Sequence, residues 1–521
     1  MKSLVLTLAL VMQLWGGAAT QQVAQLPLPL PSSISVAVGT EGTTIDPAYL
    51  TRSDGGDYLR HIYEGLMKYA PVSNESVMNE MSVTYGLAER VECSEDGLTY
   101  RFILREDALW SDGVPVRAED FVYGWTRLLA AGSYGGKLLG DVLEHLEATE
   151  EKTLLVTLKR PCAYFLKLCA ESYAAPVRRD LVERYGGDWT DAAHLAVTGA
   201  YTVRHWVHDD HMVLEKNPLY YDASHITPRE ITWYFRENAA VDFAVNPAAA
   251  AKGRAEGAGV YYLYLNANGI PDWRVRAAML LVLDREAIAA AAGNRAVAAE
   301  GLVPVGISDA AEGRPMLAWL QETYTDYDLT VYEGRCALAL ELYNQAVGAG
   351  AWSHNRSLRF RCSESPLNGR VTALCRQNWL EVLGLKVTVE EMWETDYETM
   401  LRTNTFDVAC LTWLPDYDDP LTYLRIMERG GSHNFSAWGD VRYNDLLCSC
   451  EEASHDRSTL LRQTEAALFQ TERFAICPVF WYGESYYAAE GIRGVGHSAY
   501  GGYWFGNIIA SVSAETLYQL R

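Results

Sequence analysis

The chain has 521 residues, with 44 Lys and Arg against 67 Asp and Glu, for a formal charge of −23. So acidic a surface repels phosphate backbones and anionic leaflets, which argues against nucleic-acid binding and membrane docking. With 49% hydrophobic and 21% charged residues the composition is that of a folded chain with a large core, and the length corresponds to about two to four domains, or to one domain threaded through another.

Residues 1–19 combine Lys2, an apolar run over 4–15 and the small residues Gly17 and Ala19, the pattern of a secretory signal peptide cut after Ala19. The run is short for a membrane span, although an uncleaved anchor is the alternative. Residues 20–32, with Pro27, Pro29 and Pro31, read as an extended tether. No cysteine precedes Cys93, so no lipid-accepting thiol sits at the cleavage site.

Apolar alternation over 34–38 predicts a strand that breaks at Gly39, and 58–67 has helical spacing. Residues 98–104, opened by the turn Ser94-Glu95-Asp96-Gly97, alternate as a strand, and 117–129 read as a helix with Glu119 and Asp120 in its first turn. Strands are expected at 153–158 and 212–215, the latter in a hairpin over 203–215. The Ala- and Gly-rich stretch 239–259 reads as a loop or short helix, 275–291 as one strongly helical stretch, and 358–361, 386–389 and 406–413 as buried strands between helices. Strands alternating with helices argue an α/β architecture.

Chemistry-bearing motifs are mostly missing: there is no P-loop, H-E-x-x-H, G-x-S-x-G or strand-borne G-x-G-x-x-G. His205, His208 and His211 are spaced by three, but on a hairpin that spacing does not bring all three together, so a solvated hairpin is expected there rather than a metal site. Ten cysteines permit disulfides without requiring them, and Cys448 and Cys450 lie one residue too close for a structural zinc knuckle. Buried thiols are expected, with one or two bridges as the alternative. No catalytic residue, metal or cofactor is expected.

What stands out is a series of phrases. Ile45-Asp46-Pro47 precedes Tyr63-Glu64-Gly65-Leu66, Trp110-Ser111-Asp112-Gly113 and the stretch 118–127, which carries Asp120, Trp125 and Arg127. Thr198-Gly199-Ala200-Tyr201, Leu214-Glu215-Lys216-Asn217-Pro218, Asp284-Arg285-Glu286 and Trp413-Leu414-Pro415-Asp416-Tyr417-Asp418-Asp419-Pro420 follow. In this order they resemble the family 5 extracellular solute-binding proteins, the oligopeptide- and dipeptide-binding receptors of ABC importers, over nearly everything from Ile34 to the C-terminus.

The resemblance implies an α/β, bilobed, class II periplasmic-binding-protein-like fold with an additional inserted domain and a hinge between lobes. Lobe 1 (domain I) would be discontinuous, from 33–63, 188–274 and 483–521; domain II, 64–187, would be inserted in it; lobe 2 (domain III) would be 275–482. The implied function is a non-enzymatic, exported receptor, periplasmic or extracellular, that captures short peptides by hinge closure and delivers them to the permease subunits of an ABC transporter. A monomer whose mature domain does not enter the membrane is the implied form.

The resemblance also implies site residues. Asp416 corresponds to the carboxylate that pairs with the ligand α-ammonium in peptide-binding members, and in a water-poor cleft such a bond outweighs its exposed equivalent. Trp413 would wall the same pocket. Thr51, Arg52 and Ser53 fall where these receptors present extended backbone to the ligand, a mode that tolerates any peptide sequence. Tyr134 sits where the inserted domain sends a tyrosine to the cleft, and Trp393 and Tyr397 are candidates from lobe 2. Each has a plain core or surface reading as well, and Asp418 and Asp419 are read as capping a solvated turn before Pro420. Cys410 stands where members that accept longer ligands often carry an arginine, which puts that route to a ligand carboxylate in doubt; the role is not transferred to nearby Arg402. Because the family also hosts receptors for nickel chelates, oligosaccharides and opines, a non-peptide solute is the alternative. An exported hydrolase is a remote one, and a signalling or chaperone role without uptake is compatible with the sequence.

Overall fold

The computed structural model describes residues 32–51, 56–236, 240–247, 251–293, 295–310, 314–452, 456–500 and 502–510. The expected signal peptide and nearly all of the expected tether lie outside these residues. One large mixed sheet runs through the molecule. In chain order its principal strands are β1 (Ser33–Ala37), β2 (Tyr201–Val207), β3 (His211–Lys216), β4 (Glu230–Tyr234), β5 (Phe243–Val245), β6 (Gly253–Leu265), β7 (Ser357–Ser363), β8 (Lys386–Met392), β9 (Val408–Trp413) and β10 (Ile476–Ala488). They lie in the order β8-β7-β9-β6-β10-β5-β1-β4-β3-β2. β1 is parallel to β4 and β5 on one flank, and β7 is parallel to β8 and β9 on the other. Between the flanks, β6 and β10 are long antiparallel partners.

The sequence of β6 explains its double role. Its second half, Val-Tyr-Tyr-Leu-Tyr-Leu from 260 to 265, is entirely buried, as befits a strand covered on both faces, and pairs with β9. Its first half, Gly-Arg-Ala-Glu-Gly-Ala-Gly, leaves that core and reaches Tyr486 of β10. The register slips between Glu256 and Val260. A Cβ at Gly257 would lie 2.3 Å from the Tyr482 carbonyl oxygen, so the close approach of the two strands requires glycine there. The stretch 239–259, expected as a loop or short helix, therefore supplies β5 and the first half of β6. Its small residues serve strand crossing rather than chain flexibility.

The hairpin Met67–Pro71 and Met78–Tyr85 pairs through Met78–Glu80, in parallel, with Val495–His497 of the C-terminal segment. A separate antiparallel sheet, in the order Ala88–Cys93, Thr99–Leu104, Thr153–Leu158, Leu143–Glu150, packs against the helix Ala118–Ala131. That helix starts where Asp120 accepts a hydrogen bond from the Arg117 backbone N–H at 2.9 Å, and ends on left-handed Gly132. The stretch 275–291 forms two helices, Trp273–Leu281 and Arg285–Ala292. Asp284 breaks it by capping the Ala287 N–H, while Arg285 turns inward and donates to the Leu280 carbonyl that the first helix leaves open. The helical spacing over 58–67 likewise ends at Ile62, where the chain turns toward the strand from Met67. All ten cysteines carry free thiols, most of them buried. On the β2–β3 hairpin His208 pairs with Glu41 and His211 with Asp210, so the three histidines face separate carboxylates or none.

Most of the phrases that carried the family resemblance meet as structural partners. Both oxygens of Asp46 accept from the Arg127 guanidinium, at 2.5 and 2.6 Å, and Oδ2 also accepts from the Trp189 indole at 3.0 Å. Glu64 accepts from the hydroxyls of Tyr220 and Tyr221, and Asn217 donates to the Gly199 carbonyl. Removing Asp46 strands a guanidinium that is 18% exposed at its side chain. Asp46→Ala is expected to cost about 3 kcal/mol, read as a lower urea midpoint; an unchanged midpoint would show the pair to be dispensable.

Candidate functional site

A cavity of about 470 Å³ lies where the two flanks of the sheet meet, floored by Gly257, Ala258 and Gly259 of β6 and Tyr482, Gly483 and Glu484 of β10. Its other walls come from distant segments. Thr51 follows the 3-10 turn Pro47–Tyr49, and the helix Gly56–Ile62 presents Asp57 and Arg60, three apart on one face, with Leu59 between them, while Tyr58 and Ile62 turn into the core. Tyr134 opens the helix Tyr134–Val142, whose N-cap Ser133 accepts from the Gly136 N–H. Glu171, Tyr173, Leu414, Pro415 and Tyr500 complete the enclosure.

The segment carrying Asp416 is held from several sides. The Tyr134 and Tyr500 hydroxyls both donate to the Asp416 carbonyl, at 2.7 and 2.8 Å, and the Asp416 N–H donates to the Thr422 hydroxyl at 3.0 Å. Tyr417 stacks on Tyr164 with ring centroids 3.8 Å apart, and Lys167 donates to the Asp418 carbonyl at 2.7 Å. Asp418 and Asp419, read from sequence as capping a solvated turn, are buried instead. Asp418 accepts from the Ser308 N–H and hydroxyl, and Asp419 caps the Leu421 N–H while pairing with Arg457 at 2.7 Å. Solvation fails as their role because each has a dedicated partner inside the protein.

The cavity is acidic and incompletely hydrogen-bonded. Burial pushes Asp57 up to about 6, opposed by a hydrogen bond from the Tyr503 N–H and reinforced by Glu484. Burial likewise pushes Glu171 up to about 7 against the pull of Arg60. Glu171 Oε1, the Tyr173 hydroxyl and Arg60 Nε are buried without hydrogen-bond partners among the described residues. An unpaired buried polar atom costs about 1–3 kcal/mol, and a polar group or water entering this enclosure could relieve three of them at once.

Of the residues expected from sequence, Thr51 and Tyr134 line this cavity, and Asp416 sits one residue beyond the lining Leu414 and Pro415, partly buried. Arg52 and Ser53 lie outside the described residues. Trp413 ends β9 beside the cavity, its indole donating to Thr422 and its edge against His433. Tyr397 and Trp393 are not brought to it. The Tyr397 hydroxyl is buried on the Cys410 carbonyl, lining a separate cavity with Arg402, and Trp393 is 73% exposed on another groove. Sequence reasoning missed Asp57, Arg60, Glu171, Tyr173, Glu484 and Tyr500. Only Glu171 carried a signal, as the single charge between Leu168 and Val177.

The model of the bacterial extracellular solute-binding proteins, family 5, matches residues 82–246 and 242–435, more than half of the chain. The periplasmic oligopeptide-binding protein OppA of Salmonella typhimurium is 27% identical over 502 residues, covering 85% of this chain and 86% of the relative. Among solved structures, the murein tripeptide binding protein MppA in its unliganded open form matches with a TM-score of 0.79 at 21% identity, covering 92% of this chain and 97% of that one. The Haemophilus influenzae OppA complex with RPPGFSPFR matches with a TM-score of 0.61 at 21% identity, covering 92% and 99%. This likeness establishes the fold as the bilobed α/β fold of such periplasmic binding proteins.

Asp57 gives the site a testable pH signature. Its carboxyl holds a proton more tightly in the folded chain than in the unfolded one, so its stabilising share is complete in acid and is lost as pH rises from about 4 through about 6. Asp57→Asn should remove about 2 kcal/mol of the stability decline across that window, measured by urea unfolding at pH 4 and pH 6. A variant whose decline matches the parent's would place the titration elsewhere.

Proposed function

The chain belongs to the family 5 bacterial extracellular solute-binding proteins, and on that premise we propose that it is the peptide receptor of an ABC importer, binding short peptides in the cavity between its lobes and presenting the closed form to the permease. The observation that carries this reading is the enclosure itself: the strands that join the two halves of the sheet floor it, and the segment holding Asp416 is tied into its wall. A ligand there touches both lobes at once, so its differential affinity for the closed arrangement shifts the lobe equilibrium. In this reading Asp416 takes the α-ammonium, Tyr134 fixes the position of the Asp416 segment, and Thr51 with Arg52 and Ser53 offers backbone to the peptide. Trp413 braces the Asp416 loop through Thr422, while Trp393 and Tyr397 have no part in binding. Residues 64–187 belong to this reading as the inserted domain. So do export behind a signal peptide at residues 1–19, a monomeric receptor and binding without turnover. Among the described residues no helix is long and apolar enough to cross a membrane.

Two measurements test the proposal. Mass spectrometry of the species retained by purified protein after exposure to a mixed peptide pool is expected to find peptides with free α-amines; retention of a sugar or metal chelate instead would favour the non-peptide alternative. Asp416→Ala is expected to weaken peptide binding by about 2 kcal/mol, roughly thirtyfold in Kd. Undiminished affinity in that variant would remove Asp416 from the site.

A further inference from the structure

Glu171 takes no part in the α-ammonium site, and within the protein it draws on only the Arg60 charge and the Tyr69 hydroxyl. It lies between the short helix Phe165–Leu168 and the 3-10 turn Ser172–Ala174, in a wall of the interlobe cavity. Its carboxylate stands close enough to Tyr69, Tyr173 and Tyr500 to oppose the ionisation of each phenol. Among the described residues its Oε1 and the Tyr173 hydroxyl are buried without hydrogen-bond partners, whereas the Tyr500 hydroxyl is committed to the Asp416 carbonyl. Within the lining, Asp57, Glu171 and Glu484 outnumber Arg60 and Arg295, and Asp418 adds a further negative charge close to Glu171.

A partly unpaired carboxylate among phenol rings in a net-negative enclosure has a definite complement. An anion would be repelled by Glu171, and a neutral alkyl group would leave Oε1 buried and unpaired. An ammonium or guanidinium would satisfy Oε1 with a charge-assisted bond and draw on the ring quadrupoles of the tyrosines. Given that the interlobe cavity is the ligand site, we propose that Glu171, with Tyr173 and Tyr500 beside it, forms a subsite for a cationic side chain of the ligand, separate from the place Asp416 gives to the α-ammonium.

Calorimetric titration of the full chain with Ala-Lys-Ala, with Ala-norleucine-Ala and with spermidine at physiological salt tests the assignment. Wild-type protein is expected to bind the lysine peptide about tenfold more tightly than its uncharged isostere. Glu171→Gln should equalise the two while Asp416→Ala weakens both alike. Equal affinities in the wild type, a comparison that needs no variant to fold, overturn the subsite, as does a lysine preference that survives Glu171→Gln. Should neither peptide bind while spermidine does, one per chain and lost in Glu171→Gln, the cation subsite stands and the peptide reading falls. Binding of none of the three overturns both.

Discussion

The antiparallel pairing of β6 with β10 is the constraint on which the rest of the molecule depends. These two strands alone carry the sheet from the flank built on β1, β4 and β5 to the flank built on β7, β8 and β9. Each is divided in composition. The tyrosine- and leucine-rich half of β6 is locked in a core covered on both faces, and the half made of glycine, alanine and two charges is not. Rotation between the lobes is absorbed most cheaply where the register slips and side chains are absent, at Gly257 to Gly259 opposite Tyr482 and Gly483. Those residues also floor the cavity. In the proposed reading these residues are also the hinge, and a ligand resting on them couples occupancy to lobe angle without an intervening relay.

Around that floor the energetics are those of a site held ready. The loop from Leu414 to Pro420 is pinned by two phenols, a ring stack, a lysine and an arginine, so Asp416 is presented by a loop with little freedom left to lose. The acids of the opposite wall are treated differently. Asp57 and Glu171 are kept in surroundings that disfavour their charged forms, and some polar atoms find no partner among the described residues. Such atoms lower the stability of the empty protein and strengthen the differential affinity for a ligand that matches them.

The buried ion pairs carry the complementary lesson. Asp46 with Arg127 and Trp189, and Asp419 with Arg457, join segments separated by tens of residues or more. A buried charge that loses its partner is far more costly than a surface one, so these contacts fix the register of the scaffold. The histidines of the β2–β3 hairpin behave as exposed or locally paired side chains, in keeping with their spacing on strands.

The chain order of short phrases, with the alternation of strands and helices, determined the family, the α/β class and most element positions, because turns, caps and buried strands are local consequences of residue type. The same phrases did not reveal that Asp46 meets Arg127, Glu64 meets Tyr220 and Tyr221, and Asn217 meets Gly199, since spacing in sequence says nothing about which distant side chains meet. The two helices formed from 275–291 were missed for a different reason: the break is made locally by Asp284, which caps the Ala287 N–H, and the continuous apolar spacing on either side of it hid that cap. The Ala- and Gly-rich stretch looked like a loop because small residues lower strand propensity, and only pairing with β10 makes it a strand. For the site, sequence indicated Thr51, Tyr134 and the neighbourhood of Asp416, each attached to a recognisable phrase. Asp57, Arg60 and Tyr500 were decided by tertiary structure alone, because a cavity wall is assembled from segments far apart in sequence and its electrostatics come from burial, which no single segment possesses by itself.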